Sequence, residues 1–342
     1  MTISHICGSI IVQAHNSFLN GAGTIKEGKE VVGVPKTFQK DGILYPYVSA
    51  QCWRRCWKAT FKENIVPILS SDPVEIKYAS FPFLNALDDI FGYFEANEQR
   101  IEIQEVNKVN VSQVRSSPFQ ISQLHPIQKF GSGTHQGIVK DKAYVHLKDG
   151  TPLPYTSRFY NADLEAMFAF DLGRLCTYMN FNDRQELSAN TINEYLNNAL
   201  LTEVEEGRYQ LIDADSLQKK RALYAIESLL MIAGGAKSAQ FGTDISPKGI
   251  IAAGMNGGNP LLSRVFVMGK ERPRLDFDRL VTVVTSNPSL FETPIYCGLR
   301  QNYLENLDGM EAQRAEFKEK TGVSIEICSP LNILKKFQEV LP

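Results

Sequence analysis

The residues best suited to chemistry lie in Gly42–Lys62, where Ser49-Ala50-Gln51-Cys52-Trp53-Arg54-Arg55-Cys56-Trp57-Lys58 follows a run of β-formers, Ile43 to Val48. Ser49 is a good N-cap residue, so the spacing predicts a helix starting there. Trp53, Trp57 and Phe61 recur at i, i+4 and i+8 and make one apolar face. Arg54, Arg55, Lys58 and Lys62 cover the remainder. A helix N-terminus presents free N–H groups and the positive end of the macrodipole, and both favour anions. Ser49, Gln51, Arg54, Arg55 and Lys58 therefore read as an anion grip, above all for phosphate. The alternative is an amphipathic helix whose basic face is merely solvated.

The elements that would position this helix flank it. Residues 2–14 are β-branched and partly alternating, which predicts a strand. His15 to Gly23 breaks it, and Asn20 and Gly21 suit a loop where backbone approaches a ligand closely. Residues 21–42 read as a long basic loop leading into the helix. Val114-Arg115-Ser116-Ser117-Pro118 predicts a strand with a basic, hydroxyl-rich side. Residues 129–157 combine glycines, alternation and an Asp-Gly turn, which suggests a β-hairpin arm. Arg158–Leu172 reads as a central strand, with helix as the alternative. Ser216–Ala233 is a helix, with Leu223, Ile226, Leu230 and Ala233 on one face, stopped by Gly234-Gly235. Gly249–Ala253 reads as another strand, and two helices are expected near 301–320 and 330–340.

The chain has 342 residues, 43% hydrophobic and 22% charged, enough for a sizeable core and ordinary for a globular protein. No apolar run approaches the roughly 20 residues that span a bilayer, and no secretory leader is expected. The six cysteines are dispersed; Cys52 and Cys56 lack a second pair to complete a zinc site, so reduced thiols in the cytoplasm and no cofactor are expected. Net charge is −2, which alone argues against a nucleic-acid binder. Its distribution argues the other way: residues 26–62 carry eight Lys/Arg against three acids, and residues 163–215 carry eleven acids against three Arg. Such polarity lets one side hold a polyanion while the other meets a basic neighbour, including a copy of the same chain. Gly131-x-Gly133 lacks the strand and helix of a dinucleotide loop, and the glycines at 254–258 lack the Lys-Ser/Thr of a phosphate loop.

The order of elements is compatible with an α+β, ferredoxin-like β-α-β-β-α-β sheet, the framework of RNA-recognition domains. The aromatic signatures of base stacking on the sheet face are missing. Four segments, in order, resemble the backbone subunit of the CRISPR type I interference complex (Cascade), in particular the DevR-like family of type I-B systems. They are Ser17-Phe18-Leu19-Asn20-Gly21; Tyr47-Val48-Ser49-Ala50-Gln51 into Trp53-Arg54-Arg55; Arg115-Ser116-Ser117-Pro118; and Gly234-Gly235-Ala236-Lys237-Ser238 with Thr243-Asp244-Ile245-Ser246-Pro247.

The resemblance implies one palm-based domain over 1–342, a modified RRM-type palm with inserted fingers at 63–112 and a thumb hairpin within 129–157. It implies that copies polymerise along a CRISPR guide RNA, beside other Cascade subunits, and that the guide pairs with a target DNA strand. Ser49, Gln51, Arg54, Arg55 and, on the same face, Lys58 would grip guide phosphates. Asn20 and Gly21 would lie along that track, Arg115, Ser116 and Ser117 would line the palm, and Lys237 the second glycine loop. Type III relatives cleave RNA with an Asp after the first strand; here that stretch offers Glu27 and Glu30 but no Asp before Asp41, so no nuclease activity is expected. Two other readings stay open: a metal-independent endoribonuclease using His135 or His146 as general base, and a general single-stranded nucleic-acid binder that stacks bases on Trp53 and Trp57.

Overall fold

The protein is described from a computed structural model covering residues 3–28, 30–61, 68–69, 76–77, 86–95, 113–127, 138–146, 152–181 and 184–342. Its centre is β1 (His5–Ser17), whose Ile10-Ile11-Val12 run is buried on both faces, as a strand sandwiched between two layers must be. Two hairpins follow, β2 (Gly21–Glu27) with β3 (Glu30–Pro35) and β4 (Thr37–Lys40) with β5 (Ile43–Pro46). Residues 21–42 are therefore not the loop that composition suggested. The β-branched Val31-Val32 pairs back across a turn at Gly28, and Asp41-Gly42, both at positive φ, close the second turn.

Then come α1 (Ala50–Thr60), α2 (Ala86–Phe91), β6 (Phe119–Ile121), β7 (His125–Pro126), β8 (Ile138–His146) and the long β9 (Pro152–Asp171). The strand reading of 158–172 is correct, and the strand begins six residues earlier. Beyond a small sheet formed by residues 177–211 lie α3 (Ala214–Leu230), β10 (Gly249–Met255), α4 (Phe277–Ser286), β11 (Ile295–Leu299), α5 (Leu307–Thr321), β12 (Ile325–Cys328) and α6 (Asn332–Val340).

The described strands of the main sheet run β2-β3-β9-β1-β10-β11-β12, with β6, β7 and β8 on the outer edge of β9. β1 pairs antiparallel with β9 from His5↔Asp171 to Ala14↔Ala162 and with β10 from His5↔Met255 to Ile11↔Gly249. Even-numbered residues of β1 (Ile6, Ile10, Val12, Ala14) and of β9 (Leu164, Ala166, Phe168, Phe170) join one core with α1 and α3. Cys7 and Ile11 face the other way, into a second core with Leu262, Phe266, Leu280, Val284, Met310 and Phe317. The C-terminal third thus covers the sheet face that could otherwise have been open, which sequence motifs alone did not reveal.

Trp53 and Trp57 are 2% and 0% exposed. Trp57 packs edge-on against Phe119, centroids 4.3 Å apart, and its Nε1 donates to Ser228 Oγ of α3 at 2.7 Å. Trp53 Nε1 donates to the Ser122 carbonyl at 3.2 Å. Both indoles anchor α1 on the sheet and on α3; neither is available as a base-stacking platform. In α3, Ile226 and Leu230 of the expected face are buried beside Ala222, Ala225 and Leu229, while Leu223 is half-buried and Ala233 lies past the helix end and is exposed.

Most of the expected fingers region, 63–112, lies outside the described residues; of its described parts, 68–69 pairs with 76–77 and 86–95 packs α2 into the first core. Of the expected thumb at 129–157, residues 129–137 and 147–151 lie outside, while β8 and β9 pair as a hairpin from Ile138↔Tyr160 to His146↔Pro152. His135 also lies outside the described residues. Among the described residues, no helix is long and apolar enough to cross a membrane.

Candidate nucleic-acid interface

Three sequence-distant segments meet where β1 ends. The Asn20 side-chain carbonyl accepts the Ser49 N–H at 2.9 Å, tying β1 to the N-cap of α1. The Asn20 backbone carbonyl accepts the Lys36 N–H at 2.8 Å, bringing β3 to the same point. The Leu19 carbonyl accepts the Ala236 N–H at 3.0 Å and the Cys52 thiol at 3.4 Å. Gly234 and Gly235 have φ of +120° and +109°, and a Cβ on Gly235 would sit 2.7 Å from the Leu19 side chain. Only glycine permits both the backbone conformation and this approach. Gly21 opens β2 opposite Pro35, next to the junction.

The junction leaves anion-binding capacity at the start of α1. Ser49 has extended backbone, makes no side-chain cap bond, and no acidic residue occupies the first turn. Gln51 and Arg55 are exposed. Lys237 is held in the left-handed region at φ 54°; its ammonium bonds Ser157 Oγ of β9 and lies 4.8 Å over the Phe18 ring. A groove of about 400 Å³ continues from here, lined by Ala22, Ile25, Lys36, Leu44, Tyr47 and Arg158. Arg158 pairs with Glu27, so one of the two acids noted after the first strand serves as a counter-ion. Lys36, Ser157 and Arg158 were missed as individual site residues. Lys36 stood out only as part of the basic run, and the pairing of β3 with β9 is what brings it to the groove.

Other expected grip residues turn away. Arg54 donates to the Phe119 carbonyl at 3.2 Å, and burial pulls its pKa down. Lys58 lies 5.4 Å over the Phe91 ring, and burial lowers its pKa against the pull of Asp88. Both follow from the indole anchor, which directs this side of α1 against β6 and α2.

Arg115 is the clearest correction. It is 2% exposed, with one guanidinium nitrogen 2.6 Å from Asp89 Oδ1 and the other 2.6 Å from Glu186 Oε2. Carbonyls of Asp89, Arg174 and Thr177 accept its remaining protons, and its plane stacks 4.4 Å from the Tyr178 ring. Burial opposes its charge, but Asp89 and the neighbouring groups overcome this and hold its pKa above the ordinary value. Arg221 of α3 and Arg174 complete the network by pairing with Asp89 and Glu186. The Ser117 hydroxyl donates within this corner, with the Ile90 and Phe119 carbonyls as acceptors, and the exposed Ser116 gives its carbonyl to Arg174. Arg115 and Ser117 are thus taken up in the clamp joining α2 to the small sheet, to which Ser116 lends only its backbone carbonyl.

A second polar cavity, about 560 Å³, lies on the other side of β1 among Gln13, His15, Asp163, Lys248, Arg300 and Tyr303. At its edge Asp244 meets Lys248, Ser246 and Arg300. Burial disfavours the Asp244 charge, but bonds from Lys248 and Ser246 outweigh it and bring the carboxyl down to about 2.

The junction of β1, α1 and a glycine loop on an α+β sheet has a counterpart among solved structures. The chain shares the fold of a CRISPR RNA-guided surveillance complex chain. That likeness covers 98% of this chain and 99% of the other, at 11% identity and a TM-score of 0.50. A chain of a CRISPR RNA-guided surveillance complex in a pre-nicking state covers the same shares at 9% identity and a TM-score of 0.47. No family model and no curated protein matches the sequence.

Proposed function

We propose that this protein is a non-catalytic subunit that binds CRISPR guide RNA and polymerises along it as the backbone of a type I Cascade complex of the I-B, DevR-like kind. In this reading it acts in the cytoplasm, beside other Cascade subunits, and supports pairing of the guide with a target DNA strand. The observation that carries the reading is the junction at Asn20, Ser49 and Lys237. It joins a helix start without a side-chain cap, a positive-φ glycine loop, the exposed Arg55 and the half-buried Lys237 on a chain with a surveillance-complex fold. A guide must be held regardless of its sequence, so contacts to its backbone from Lys, Arg, hydroxyl and amide groups are the suitable tools, and reading is left to base pairing.

The sheet supports the palm in this proposal. β6 and β7, then β9, β1 and β10 lie side by side and antiparallel, with α1 and α3 packed in the core on one face. That is the spatial order of a ferredoxin-like β-α-β-β-α-β unit. The β8–β9 hairpin is the described part of the proposed thumb.

The test is the RNA that accompanies the purified protein. Guide RNA of regular lengths is expected, and Arg55→Ala with Lys237→Ala should weaken its retention uniformly across guide sequences. Full retention in that double variant would remove the junction from the RNA path. Repeat RNA incubated with the protein without metal is expected to stay intact; site-specific cleavage would overturn the non-catalytic assignment.

A further inference from the structure

α1 carries two thiols one turn apart at the junction, Cys52 and Cys56. Both are half-buried, in contrast to Cys7, Cys176 and Cys297, which are buried in the cores, and none of the six is in a disulfide. Cys52 donates its thiol proton to the Leu19 carbonyl at 3.4 Å. Cys56 Sγ sits 3.3 Å from where a Cβ on Gly234 would be, so its sulfur lies directly against the glycine loop. Cys52 thus ties α1 to the end of β1, and Cys56 packs against the loop that carries Lys237.

We propose that Cys52 and Cys56 are an oxidisable dithiol, closed to a disulfide by peroxides, and that closure unfastens the glycine loop from α1. The Cys56 thiolate attacks the peroxide O–O bond and becomes a sulfenic acid while hydroxide leaves and is protonated to water. Cys52 sulfur then attacks Cys56 sulfur; the S–O bond breaks, and the departing hydroxide takes the Cys52 proton as a second water. Two thiols and one hydrogen peroxide give one disulfide and two waters, with two electrons passed to the peroxide.

The surroundings divide these roles. The neighbouring Cys52 sulfur chiefly, with the Gly235 N–H and Arg55, outweighs burial and brings Cys56 down to about 7, while Cys56 and burial push Cys52 up. Cys56 is the attacking sulfur and Cys52 the resolving one. Residues four apart on a helix have Cβ atoms about 5–6 Å apart, whereas a disulfide needs about 3.8 Å. Closure must draw this turn of α1 together, away from Leu19 and Gly235. The consequence for RNA rests on the function proposed above; the chemistry does not.

The experiment treats the reduced full-length chain with hydrogen peroxide and maps its tryptic peptides. A cross-link between the fragments ending at Arg54 and at Lys58 is expected, reversed by dithiothreitol and absent in Cys52→Ser and Cys56→Ser. At pH 7, iodoacetamide should modify Cys56 at least about tenfold faster than Cys328, whose thiol burial pushes up. Trypsin should cut after Lys237 faster in the oxidised form, and guide RNA, where it is bound, should be lost on oxidation and regained on reduction. Equal labelling of Cys56 and Cys328, or no cross-link, overturns the dithiol. A cross-link that leaves both cleavage after Lys237 and RNA retention unchanged overturns the unfastening. A protein that forms the cross-link but never carries RNA leaves the dithiol standing and removes the guide-binding function instead.

Discussion

Two stretches of this chain look alike in sequence: Ser49-Ala50-Gln51-Cys52-Trp53-Arg54-Arg55 and Arg115-Ser116-Ser117-Pro118. Each combines Arg with Ser near a strand. Around Arg115, two carboxylates and three carbonyls take up the guanidinium. Around Ser49, the hydroxyl makes no cap bond and Arg55 stays exposed. The difference teaches that residue type marks both a clamp and a grip, and only the surrounding partners separate them. A cation saturated by buried acids holds the fold, whereas an exposed one such as Arg55 can meet an outside anion.

The contrast breaks most visibly at Arg115. Arg115→Ala removes the central partner of two buried carboxylates, leaving Asp89 only Arg221 and Glu186 only Arg174 as counter-ions, so thermal unfolding should record a loss of about 3–5 kcal/mol. A variant that stays near wild-type stability would disqualify the clamp. At the junction, Arg55→Ala with Lys237→Ala should leave stability within about 1 kcal/mol. The same pair should lower the slope of log affinity against log salt by about 1.4 for a single-stranded RNA, read from binding at several salt concentrations. An unchanged slope would mean that the junction is no grip.

Smaller still is the tie between the two faces of the grip. Asn20→Ala removes the acceptor of the Ser49 N–H and should cost about 1 kcal/mol in denaturant unfolding.

Glu165 adds a third case, a carboxylate held by amides rather than by a counter-charge. Burial raises its pKa to about 7, against donation from Val265 and its neighbours. The native state then binds the proton more tightly than the unfolded chain, whose value is near 4.5. Its contribution is fully present below about pH 4.5 and is lost as pH rises through about 7. Glu165→Gln should flatten that part of the stability profile, measured by unfolding between pH 5 and 8.

Much of this was legible in the chain. β1, α1, β9, α3 and β10 follow from apolar period and turn residues, although α3 ends at Leu230, before the positive-φ Gly234-Gly235 pair expected to stop it. Three things were not legible. Arg54 and Lys58 share the helix surface with Arg55, and only the packing of Trp57 on Phe119 and α3 decides which of them point inward. The burial of Arg115 depends on Asp89 and Glu186, 26 and 71 residues away. The second core between residues 256 and 328 has no motif, because covering a sheet face needs only apolar side chains at the right places.

One feature of β1 bears on mechanics. Its register with β9 slips between Ala14 and Ser17, with Asn16 at φ 44°, where the core part of β9 gives way to the part paired with β8 and β3. β9 is one continuous strand of 20 residues across that point. Its nine residues from Pro152 to Tyr160 form an arm roughly 30 Å long, paired with β8 and β3 and rooted in the β1–β9 pairing. A bulge bends and twists the sheet where it occurs, so Asn16 sets the direction in which this arm, with Ser157 and Arg158 on it, leaves the core.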